Sequence, residues 1–89
     1  MHETPVIADL LGTVNQLAAE HHARRVVRIG LVVGALVPAS PDHLREHFLL
    51  AAAGTLAEGA RLDIRLLPDP ADPHAQAIRL ESIEIEDAE

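Results

Sequence analysis

Met1-His2-Glu3 places an α-amine, backbone amides and an imidazole within reach of one metal ion. Four nitrogens close to a plane suit Ni(II) or Cu(II) better than Zn(II). The amine, with an ordinary pKa of about 7.7 to 8.0, must shed its proton to bind, so affinity is expected to rise with pH. A large residue at position two is expected to protect the initiator methionine and keep His2 in register with the amine. Taken alone the tripeptide is a weak signal, since any chain can begin this way. The candidate metal ligands are Met1, His2 and Glu3.

Other histidines are open to two readings each. His43 and His47 are spaced i and i+4, which lets two imidazoles clamp a transition metal, although a solvated helix flank is the plainer reading. His21 and His22 close an apolar-periodic stretch and, when protonated, would complement the negative end of a helix dipole. His74 could assist a metal only if its segment folds back towards the amino terminus. Cysteine is absent, which removes disulfides and thiolate sites and leaves histidines, carboxylates and backbone groups as ligands. Glu81, Glu84, Glu86, Asp87 and Glu89 read as a solvated strand edge that discourages pairing. Gly54-Thr55 and Glu58-Gly59 read as turn chemistry. No nucleophile adjoins a base, and no glycine-rich loop has phosphate-cradling spacing, so an enzyme is not expected.

The elements that must position these groups follow from periodicity. Thr4-Pro5 reads as a cap and first helical position, and Ile7, Leu10, Leu11, Val14, Leu17 and Ala18 recur at helical spacing, predicting a helix from Pro5 to His22. Gly12 within it suggests a close packing contact. Arg25 to Gly34 alternates as a strand, with Val27, Ile29, Leu31 and Val33 on one face and Arg28, Gly30 and Val32 on the other. Ser40-Pro41-Asp42 starts a second helix that carries Leu44 and Phe48 and stops at Gly54. Arg61 to Leu67 and Ile78 to Ile85 complete the strands, with a parity change between Leu80 and Ile83 expected from a β-bulge. The expected fold is α+β: a three-stranded mixed sheet, both helices on one face, the last two strands joined as a hairpin, and an exposed Val32 on the open face inviting a partner subunit.

Composition narrows the classes. The chain has 89 residues, enough for one domain with a thin stability margin. Phe48 is its one aromatic residue, so the core must be aliphatic and nothing can stack on bases. Net charge is −7, and all seven cations are arginines, scattered apart from Arg24-Arg25. Nucleic acid is therefore not expected as a partner, because phosphate tracking needs clustered cations. No apolar run approaches the roughly 18 to 20 residues of a membrane span, so no membrane partner and a cytoplasmic location are expected.

Four stretches together resemble the HypA family of hydrogenase and urease nickel chaperones. These are the opening Met1-His2-Glu3 with its helix, Arg25-Val26 through Leu31, Val33, Gly34 and Leu36, Pro41 through Phe48 to Ala60 and Leu62, and Ile78 to Glu86. The resemblance implies the nickel-binding domain of that family over residues 1–89, with Ni(II) held by Met1, His2 and Glu3. It also implies delivery to a nickel-handling GTPase of the HypB type or to the hydrogenase large subunit, and leaves room for a homodimer. The family's zinc module, a repeated Cys-x-x-Cys between the last two strands, has no counterpart, and residues 68–77 stand in its place, so no zinc is expected. Ala35 and Val32 stand where the family often has acids. The remaining alternative is an adaptor that binds maturation partners without handling metal.

Overall fold

A computed structural model describes the backbone of residues 3–87 and the side chains of residues 6–87. Helix α1 spans Glu3–Glu20, strand β1 Ala23–Val33, helix α2 Pro41–Ala52, strand β2 Arg61–Leu66 and strand β3 Ile78–Asp87. The order is the expected one, with two shifts in α1. It begins at Glu3, ahead of the expected cap at Thr4, because proline is tolerated anywhere in a first turn whose N–H groups have no intrahelical acceptor. It ends at Glu20, and His22, at φ 55°, takes the left-handed conformation that closes the helix, donating its N–H to the Ala19 carbonyl at 3.1 Å.

The sheet order is β2-β1-β3. β1 pairs with β2 in parallel, Ile29 opposite Leu62 and Val33 opposite Leu66, and α2 is the crossover that a parallel neighbour requires. β3 runs antiparallel on the other side of β1, Ile78 opposite Val33 and Ile83 opposite Ile29. The mixed sheet is as expected, but the last two strands are not a hairpin, since β1 lies between them. The connector of residues 67–77 instead passes over the end of β1. Leu67 N–H donates to Val33 O, while Gly34 and Leu36 donate to Ala77 and Ala75. Gly34 is required there: a Cβ would sit 2.2 Å from the Ala75 carbonyl oxygen.

Both helices cover one face. Ile7, Leu11, Val14 and Ala18 of α1 and Leu44, Phe48 and Ala52 of α2 bury against Val26, Ile29, Leu31 and Val33 of β1 and Leu62 of β2. Alternation predicts Val27 in that core, but Val26 points inward instead and Val27 is 36% exposed. The cause is an extra residue in β1 between the Val26–Ile85 and Arg28–Glu84 partners, which flips the parity of the strand's first half. The bulge expected in β3 is present, since Gly30 faces Ser82 while Leu31 faces Leu80, leaving Glu81 unpaired in the ladder. Gly12 is exposed, and a Cβ added there would meet nothing within 4 Å, so it marks no packing contact.

The open face is charged. Arg28, on the central strand, reaches Asp63 on β2 and Glu84 on β3, both at 2.8 Å. Arg65 on β2 reaches Glu81 on β3 at 2.7 Å, spanning β1 above Val32. That pair explains why Val32 is only 8% exposed, contrary to the exposed surface expected for it. Glu81, Glu84 and Glu86 are likewise ion-paired with arginines of β1 and β2, with Glu86 bonded to Arg25, so they are a cross-strand ladder more than a bare solvated edge.

Candidate metal centre

Of the three amino-terminal candidates, Met1 and His2 lie outside the described residues. The backbone of Glu3 opens α1. The first residue of a helix has no intrahelical acceptor for its N–H. Among the described residues no group of three or more His, Asp or Glu side chains is disposed to hold a metal ion.

The surroundings of the α1 start are described. Val6 shares a cleft with Val37, Pro38 and Ala39 ahead of α2, and with Gln76, Ala77 and Ile78 of the connector's end. Ile7 and Ala8 share another with His47, Leu50 and Ala51 of α2. The connector therefore does fold back beside the first turns of α1, held by the bonds it makes to Gly34 and Leu36. His74 does not come with it: its N–H donates to Asp72 Oδ1 at 2.7 Å, and it lines a shallow depression with Val32, Arg65 and Glu81 on the charged face. The helices occupy the opposite face, so His74 is turned away from α1.

His43 and His47 are brought together. Ser40 caps α2, its hydroxyl oxygen accepting from the His43 N–H at 3.1 Å, and Pro41 and Asp42 occupy the first turn. That cap fixes the phase of the helix, so that Leu44 and Phe48 enter the core and the two histidines share one flank, with His47 beside Ile7 and Ala8 of α1. Their ring centroids are 4.2 Å apart and tilted by 45°. The solvated flank read from the sequence holds for His43, which is exposed, while His47 is half-buried beside Ile7 and Ala8, a tertiary contact that local periodicity does not carry.

Electrostatics outside this region are dominated by the ladder. Hydrogen bonds from Arg28, and then Arg61, hold Asp63 below the ordinary carboxylate range. Arg65 does the same to Glu81, and Arg25 to Glu86. Arg28 is in turn raised by Glu84 first and Asp63 second. These groups neutralise one another and form no catalytic pair. No helix among the described residues is long and apolar enough to cross a membrane.

A family profile described as "Hydrogenase/urease nickel incorporation, metallochaperone, hypA" matches residues 1–84. The chain is 37% identical over 68 residues to the hydrogenase maturation factor HypA of Desulfitobacterium hafniense, covering 76% of this chain and 60% of that protein. It is 44% identical over 64 residues to HypA of Chlorobium limicola, covering 72% and 55%. The chain thus spans somewhat over half the length of the curated relatives it matches. The solution structure of the nickel metallochaperone HypA from Helicobacter pylori superposes with a TM-score of 0.81 at 18% identity, over 98% of this chain and 99% of that one, which establishes the likeness of fold.

Proposed function

Because the chain belongs to the HypA family, whose profile describes hydrogenase and urease nickel incorporation, we propose that it carries Ni(II) at its amino terminus and hands it on during nickel-iron hydrogenase maturation. The observation that carries this reading is that the family match begins at residue 1, so Met1-His2-Glu3 falls inside it. The ligands would be the Met1 amine, the His2 imidazole and amide, and the Glu3 amide or carboxylate. A helix that starts at Glu3 supports the assignment, since its first amides are not committed to intrahelical bonds. The chain's absence of cysteine makes it a form without the thiolate zinc module, with the residue 68–77 connector packed over β1 in its place. The role is that of a carrier, with a HypB-type GTPase or the hydrogenase large subunit as recipient.

A second reading, an adaptor that binds maturation partners without metal, is favoured by one feature. Leu49 and Leu50 are consecutive on α2 at 70% and 74% exposure and open onto two different clefts, apolar surface that a docked protein would cover. The two readings separate in a strain lacking its own family member. Metal carriage requires that the native chain restore hydrogenase activity and nickel incorporation, and that His2→Ala restore neither. Full restoration by His2→Ala would overturn metal carriage and select the adaptor.

A further inference from the structure

We propose that His43 and His47 form a second, exchangeable Ni(II) site, a two-imidazole clamp on the flank of α2 beside the first turns of α1. The spacing alone is ambiguous, because two histidines one turn apart can diverge. In the folded chain they converge, with ring centroids 4.2 Å apart and planes tilted by 45°. A transition metal held about 2.1 Å from one nitrogen of each ring needs those nitrogens about 3 Å apart, which rings this close reach by rotating about their own side-chain bonds. Imidazole is a suitable ligand for Ni(II), and two of them supply only part of its coordination shell. An ion held by two side chains on a surface flank exchanges more readily than one enclosed by four.

The position of the pair gives it a use. His47 lines the same cleft as Ile7 and Ala8, and Ile7 lies one helical turn beyond Glu3, where α1 begins. An ion on the clamp is therefore held at the end of the molecule to which the amino-terminal tripeptide is attached. The helix that carries the pair is fixed by the Ser40 cap and by Leu44 and Phe48 in the core, so the clamp is mounted on a rigid element. The chain's net charge of −7 favours the approach of a cation to the molecule as a whole. The choice of nickel rests on the proposed function; the clamp geometry does not.

The two sites differ in a property that can be read separately. Ni(II) in a planar four-nitrogen site is diamagnetic, whereas Ni(II) with two imidazoles and waters is six-coordinate and paramagnetic. Ni(II) is titrated into the full chain carrying His2→Ala and a one-residue amino-terminal extension, following the imidazole resonances by NMR. The expected result is selective broadening of His43 and His47 ahead of His21, His22 and His74, with apparent affinity falling at least tenfold in either His43→Ala or His47→Ala. Equal broadening of all these histidines, no broadening, or broadening of the partner ring that persists unchanged when either one is replaced would overturn the proposal. Because the amino-terminal site is disabled in this chain, its own failure would be seen only in the native chain, so the two ideas fall independently.

Discussion

At the residue scale the sharpest constraint is Gly34. Its N–H bonds the Ala77 carbonyl and its missing side chain leaves room for the Ala75 backbone, so the connector closes over β1 only because position 34 carries no Cβ. Gly34→Ala is expected to destabilise the fold by about 1 to 3 kcal/mol through overpacking, measured by urea unfolding, with faster hydrogen exchange at the connector amides. An unchanged midpoint would show that the connector can shift without loss. The proposed site can be read from sequence alone for a simple reason: the chelating groups of Met1-His2-Glu3 are contiguous and need no tertiary contact to be near one another. The convergence of His43 and His47 was legible only as a spacing, and the orientation of His74 was not legible at all, because it depends on which side of β1 the connector passes.

At the element scale, each boundary is set by a local device, and two can be tested. Ser40→Ala removes the acceptor for the His43 N–H and is expected to lower stability by about 1 kcal/mol. His22→Gly is expected to do the opposite, by up to about 1 kcal/mol, because φ 55° is a conformation in which glycine escapes the Cβ penalty. Thermal unfolding of both variants decides the signs. The elements were readable from periodicity because helices and strands are local patterns. The strand order was not: β2 and β3 are consecutive in sequence, yet β1 separates them, since α2 makes a parallel crossover on one side and the connector carries the chain to the other. Val27 was misplaced for a related reason. A bulge in β1 shifts parity without any glycine or proline to announce it, whereas the bulge in β3 shows in the sequence as two apolar residues an odd distance apart.

At the scale of the whole molecule, an elongated domain of 44 × 21 × 17 Å relies on one aliphatic core with a single aromatic side chain. Phe48, 3% exposed, fills the space between α2 and the sheet, and Phe48→Ala is expected to cost about 3 to 5 kcal/mol. Against a total margin of about 5 to 15 kcal/mol, that variant should be near unfolding at 37 °C, as its far-ultraviolet dichroism would report. The arginine-carboxylate ladder sets the acid limit. Asp63, Glu81 and Glu86 titrate below their ordinary range, so their contribution is present above the unfolded-state pKa and lost as pH falls through the lowered folded values. Unfolding midpoints should hold between pH 5 and 8 from this source and decline below about pH 4, less steeply at high salt. The central claim concerns neither core nor ladder but the first three residues, and it is tested most directly by calorimetric titration of Ni(II) into the native chain beside a chain extended by one amino-terminal residue. One tight equivalent that strengthens from pH 6 to pH 8, vanishes on extension and survives His43→Ala is the expected result. Equal tight binding by the native and extended chains, or none by either, would contradict it.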